Sequence, residues 1–147
     1  MPKTTIFDVA EYILSESDAI TAMKLERLCY YAQAWSLVWD ERPLFDEEFR
    51  AWPAGPVCPE LYARHRGKFT VTPGGLHGDS GVLDQSQRDT VDAVLEYYGT
   101  LSVYELSTLV QREAPWKDAR GDIEPGQRGD NVIPIASMAE YYGSLTD

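Results

Sequence analysis

The residues in this chain whose types suit chemistry are two cysteines, two histidines, a glycine-rich loop and many carboxylates. Residues 73–81, PGGLHGDSG, are dense enough in glycine to test as a phosphate cradle. A P-loop needs G-x-x-x-x-G-K-[ST], whose backbone amides and lysine meet the phosphates. Gly75, Gly78 and Gly81 are instead followed by Val82 and Leu83, and their spacing is not G-x-G-x-x-G either. Ser80 is not a nucleophile elbow, because Val82 stands where the last glycine of G-x-S-x-G belongs. The stretch reads as the most flexible and most exposed loop of the chain.

His65 sits between Arg64 and Arg66, and His77 lies in that loop. Neither has a Cys, His or carboxylate at metal-ligand spacing, so the sequence calls for no metal and no cofactor. A Cys–His nucleophile pair would need Cys29 or Cys58 to meet a histidine in space. The two cysteines are expected as buried free thiols. Carboxylates are plentiful, but nothing singles out two of them as an acid–base pair. Val91 to Arg112 imitates a helix-turn-helix, with Gly99 as the turn. A recognition helix should carry basic or amide side chains near its start, where this one has Val103, Tyr104 and Glu105.

The elements that must position these residues are organised around Lys24 to Trp39, KLERLCYYAQAWSLVW. Leu25, Leu28, Ala32, Trp35 and Trp39 form one stripe at helical spacing, yet Cys29, Tyr30, Tyr31, Leu37 and Val38 fill the other faces. A helix apolar nearly all round is one that other elements enclose. Ahead of it, Thr5 and Asp8 cap a helix from about Ile6 to Ser15, and Ser15 to Ile20 is a polar connection to a second cap at Thr21. Pro43 should end the central helix at Asp40 or Glu41. Pro43-Leu44-Phe45 and Phe49 to Trp52 suggest a small hairpin or two short strands, with Asp46-Glu47-Glu48 as the solvated turn. Pro53 to Pro56 reads as a rigid turn, Pro59 as the first turn of a helix to about Arg66, and Lys68 to Thr72 as a strand. Asp84 with Gln87 starts the next helix, which Gly99 ends in left-handed geometry; Ser102 with Glu105 starts another, which Pro115 stops. Asp118 to Asn131 is expected as a surface loop, followed by a short helix over Ala136 to Tyr142. The fold class is α+β and predominantly helical: one domain over residues 1–147, a central apolar helix with about four other helices, and a small β element.

With 13 basic and 24 acidic residues the net charge is −11. Nucleic-acid binding rests on cationic side chains neutralising phosphates, so this balance argues against it. It is compatible with a basic protein partner. No apolar run approaches the roughly 20 residues needed to span a bilayer, and the N-terminus lacks a signal-peptide layout. The expected compartment is the cytoplasm. Four Trp and nine Tyr are more aromatics than one small core needs, and aromatic and Arg side chains centre many protein interfaces. Tyr30, opposite the main stripe, and Trp39, at the helix end beside Arg42, are candidates for exposure.

Several of these segments together resemble the Panacea (SocA-like) antitoxin domain, also met in phage-associated GepA-like proteins. Met23-Lys24-Leu25 and Leu28 to Trp35 are similar to its K-L-x-K-L-x-Y-Y-A-x-x-W helix, with Arg27 near the family's second lysine. Ala51-Trp52 and Gly55-Pro56-Val57 resemble its A-W-x-x-G-P-V block, and Glu113-Ala114-Pro115-Trp116 its second block. The family often shows Thr-His ahead of that block, where this chain has Val110-Gln111; the difference suits a binding domain better than an enzyme. The resemblance implies the antitoxin half of a type II toxin–antitoxin pair, neutralising a cognate toxin protein encoded by an adjacent gene. Tyr30, Trp39, Arg42 and Trp116 are expected near the interface, and Leu28, Trp35, Trp52, Gly55 and Pro56 in the scaffold. The alternatives are an adaptor that delivers a bound protein to a protease and a DNA-binding autorepressor. A homo-oligomer is left open.

Overall fold

The computed structural model describes residues 3–145. In chain order the elements are α1 (Ile6–Ser17), β1 (Ile20–Thr21), α2 (Ala22–Trp39), β2 (Arg50–Trp52), β3 (Gly55–Val57), α3 (Pro59–His65) and β4 (Thr70–Val71). A 3-10 turn (Ser80–Val82), α4 (Gln85–Tyr98), α5 (Val103–Gln111), α6 (Ala114–Arg120) and α7 (Ile135–Gly143) complete them. α2 is the axis, and α4 and α7 pack most extensively on it. Every residue from Leu25 to Ser36 is buried, so the helix has no solvent face over three turns. The fold is α+β and predominantly helical, as its pattern of caps and stripes implies.

Most helix starts follow local chemistry. Thr5 with Asp8, Asp84 with Gln87 and Ser102 with Glu105 each form a complete capping box, satisfying amides that the first turn leaves open. Thr21 caps α2 by accepting from the Lys24 amide. Gly99 differs from expectation: it closes α4 at φ −63°, in right-handed geometry. The Leu101 amide takes the Tyr98 carbonyl, and Lys24 Nζ donates to the Gly99 carbonyl, so no left-handed residue is needed.

The β elements depart further from the sequence reading. The hairpin pairs β2 with β3, in the register Arg50 with Val57 and Trp52 with Gly55. Leu44 and Phe45 are not a strand, because Gln33 of α2 takes up their backbone: Gln33 Nε2 donates to Phe45 O (2.9 Å) and the Leu44 amide donates to Gln33 Oε1 (2.7 Å). Glu47 is no idle turn residue either, since it accepts from the Ile6 amide. β4 finds its antiparallel partner in β1, which occupies the end of the expected polar connection. Pro115 does not halt the chain in a loop; it lies in the first turn of α6, where its missing N–H costs nothing. The following loop is gathered by buried Arg120, which donates to the carbonyls of Ala51, Glu124 and Gln127.

The glycine-rich loop is pinned, not loose. Glu11 of α1 accepts from the amides of Gly74 and Leu76, Asp8 accepts from the Asp79 amide, and Leu76 is buried. A Cβ on Gly78 would lie 2.1 Å from the Phe7 carbonyl oxygen, which explains glycine there without any ligand.

Two buried ionisable side chains, Arg27 and Glu113, hold the centre together. Arg27, fully enclosed, donates from Nη1 to Pro56 O (2.6 Å) and from Nε to Ser107 Oγ (3.3 Å), joining α2 to β3 and α5. Desolvation lowers its pKa to about 10, which still leaves it charged at neutral pH. Gly55 makes room for it: φ is +146°, and a Cβ would lie 2.7 Å from the guanidinium. At the other end of the core Glu113 Oε1 accepts from the hydroxyls of both Tyr31 and Tyr142, each at 2.7 Å. The Tyr30 and Tyr142 hydroxyls lie 3.2 Å apart, and Tyr31 stacks on Tyr98 at 3.9 Å. Among the described residues Glu113 makes no ion pair. Desolvation raises its carboxyl above the ordinary 4.5, and the two tyrosine hydroxyls only partly counter this.

Two outcomes follow from these contacts. Gly55→Ala should cost about 1–3 kcal/mol of unfolding free energy, through the backbone conformation and displacement of Arg27; urea denaturation measures it. Because Glu113 has a raised pKa in the folded state, its favourable contribution is complete below the unfolded value and is lost as pH rises through the folded value. Glu113→Gln keeps the acceptor for both tyrosines and removes the charge, so stability plotted against pH should fall less steeply above pH 4.5. Glu113→Ala should cost about 2 kcal/mol at low pH, where the carboxyl is protonated, by removing the shared acceptor of two hydroxyls, and less as pH rises.

Candidate protein-interaction surface

Among the described residues, cysteine and histidine side chains that suit chemistry gather around α3. His65, on α3, is buried, and its Nε2 lies 2.7 Å from Glu26 Oε2, a partner 39 positions earlier that spacing could not reveal. Glu26 Oε1 accepts from the Cys58 amide (2.9 Å), supplying the start of α3 with the cap that Cys58 itself does not provide. Desolvation raises the Glu26 carboxyl, opposed by its bonds to His65 and the Cys58 amide. Burial also pushes both thiols up, so neither Cys29 nor Cys58 is primed as a nucleophile. Among the described residues no group of three or more His, Cys, Asp or Glu side chains is placed to hold a metal ion. This arrangement braces α2 against α3.

The surface that does stand out is aromatic. Trp39, at the last position of α2, is 48% exposed and stacks on Trp35 with ring centroids 5.0 Å apart. Across from it, Tyr97 on α4 is 68% exposed and Leu145, just past α7, is 53% exposed. With Ala93 and Tyr98 these residues line a groove of about 460 Å³. Its walls are set from below: Trp35 Nε1 donates to Tyr98 Oη (2.9 Å), and Thr90 Oγ1 donates to Asp40 Oδ2 (2.6 Å), fixing α4 along α2. Tyr142, held by Glu113, fixes α7 and thereby places Leu145. The outer face of α4 also carries Asp89, Asp92 and Glu96, all exposed, so an apolar groove borders an acidic strip.

The four residues expected at an interface separate here. Tyr30 does not reach the surface: it is 0% exposed, with Tyr31, Phe49 and Tyr142 packed edge-on against its ring. The face opposite the main stripe of α2 is covered by α7 and the segment before β2, so being off the stripe did not mean being outside. Trp39 lines the groove. Arg42 is exposed and pairs with Asp84 Oδ2 (2.9 Å) at the start of α4. Trp116 is half-buried on a separate patch, where its Nε1 donates to Trp52 O and Arg120 lies over its ring. Tyr97 and Leu145 were not singled out by sequence. For Tyr97 the signal existed, because of two adjacent tyrosines on an amphipathic helix only Tyr98 continues the Val91–Val94 stripe.

No helix among the described residues is long and apolar enough to cross a membrane. No curated protein and no solved structure matches the chain. A family model, antitoxin SocA-like with Panacea domain, matches residues 25–117, well over half of the chain. The matched span opens inside α2 and closes inside α6, and it contains Glu26, Arg27, Gly55, His65 and Glu113, the residues that hold the interior together. That extent makes the chain a member of the antitoxin SocA-like, Panacea domain family, a membership that supports an antitoxin role.

Proposed function

We propose that this protein is the antitoxin of a type II pair, a single domain that acts in the cytoplasm and neutralises a cognate toxin protein, encoded by an adjacent gene, through direct binding. The observation that carries this reading is the groove between Trp39, Tyr97 and Leu145, large apolar side chains held in fixed positions yet open to solvent. Rigid aromatic anchors in a recess, surrounded by polar groups, are what interface energetics favour. Trp39 is the proposed centre and Arg42 a rim contact. Trp116 takes part only with a partner broad enough to reach the hairpin as well. The mechanism is stoichiometric capture, with no bond made or broken. The acidic strip on α4 accelerates encounter with a basic toxin.

Trp39→Ala combined with Tyr97→Ala should weaken binding to the adjacent gene's product by about tenfold or more. Co-expression should then fail to protect cells, while the circular dichroism spectrum stays that of the parent protein. Protection equal to the parent's would sink the assignment of this groove. Following the toxin's half-life in the same cells separates capture, which leaves it unchanged or longer, from delivery to a protease, which shortens it.

A further inference from the structure

At the opposite end of α2 lies a second cavity, of about 530 Å³, with a different electrical character. Arg27 and His65 form its buried side, and Arg66 and Lys68 stand on the exposed loop that rims it. No Asp or Glu is among the residues that line it. The chain as a whole has 24 acidic residues against 13 basic, so a cavity lined by cations and no carboxylate runs against its overall balance. Glu26, behind His65, offsets part of this charge, but neither Arg66 nor Lys68 makes an ion pair among the described residues. Beside these cations Phe69 is 81% exposed, and Tyr62 is a second aromatic among the lining residues. The Phe69 carbonyl accepts from the Ala22 amide (2.8 Å), so the rim is fastened to the start of α2.

From this geometry we infer that the cavity binds a small phosphorylated organic anion with a flat ring, of the nucleotide class. One carboxylate needs one cation; Arg66 and Lys68 on the rim, with the field of the enclosed Arg27 guanidinium behind them, suit the multiple charges of a phosphate chain. The volume lies within the range of small-ligand sites. Phe69 offers an exposed ring for stacking, with Tyr62 also in the lining, which accounts for a phenyl group left in water. α2 has 18 residues, so this cavity and the Trp39 groove are separated by roughly 25 Å of helix. The inference therefore does not depend on the toxin-binding assignment.

The test is calorimetric titration of the full chain with the four ribonucleoside triphosphates, with adenosine and inorganic phosphate as partial ligands. At least one triphosphate should bind saturably, with adenosine and phosphate each weaker by about tenfold or more, and added salt should weaken it further. Arg66→Glu with Lys68→Glu should reduce that affinity by about tenfold or more without altering the melting temperature of the free protein, both side chains being exposed. Phe69→Ala should weaken the triphosphate but not phosphate. The inference is overturned if no triphosphate binds, if phosphate alone binds as tightly, or if the double charge reversal leaves affinity unchanged.

Discussion

A helix enclosed on every side must still satisfy whatever polar side chains it carries, and α2 carries them through its whole buried length. Each reaches a different neighbour. Glu26 meets the start and end of α3, and Arg27 meets β3 and α5. Tyr31 meets the joint between α5 and α6, while Gln33 and Ser36 take the backbone between α2 and β2. An unpaired buried polar group costs as much as several apolar contacts contribute, so none of these partners can drift far. The segment from Asp40 to Phe49 has almost no regular structure. It is nonetheless ordered, because Gln33 and Ser36 act on it as a neighbouring strand would.

This division of labour decides how much could be read from the chain beforehand. Where the controlling contact is three residues away, as in the capping boxes, helix starts are legible to the residue. Where it is far away in sequence, the reading fails. Pro43-Leu44-Phe45 looks like a strand until Gln33 occupies its backbone, and residues 73–81 look loose until Asp8 and Glu11 of α1 hold them. The β1–β4 pairing joins segments 50 positions apart, and neither is longer than two residues. α6 was hidden because proline both stops and starts helices, and only the chain that follows decides which.

The candidate surface obeys the same logic. Trp39 was legible because it is the last residue of an apolar run and nothing beyond it could cover it. Tyr30 was misread because helical periodicity assigns a face, and in a helix surrounded on all sides a face says nothing about exposure. The Glu26–His65 pair was invisible, since a search for chemistry by spacing sees only neighbours along the chain. What the fold does with charge is also spatial. Acidic side chains gather along the outside of α4 while cations line the cavity at the start of α2, an asymmetry that the net value of −11 conceals.

Tyr142 carries one more consequence. It lies beyond residue 117, where the family match ends, yet its ring is wholly buried among Tyr30, Tyr31 and Trp35. α1 lies before the match begins and contributes five apolar residues to the same interior. The recognisable block is thus a keystone without its arch: cut out alone, it would present three aromatic rings and the Glu113 carboxylate to water. The buried interior extends beyond the block that can be recognised. For this chain, a boundary drawn by similarity has to be widened on both sides until the central helix is closed.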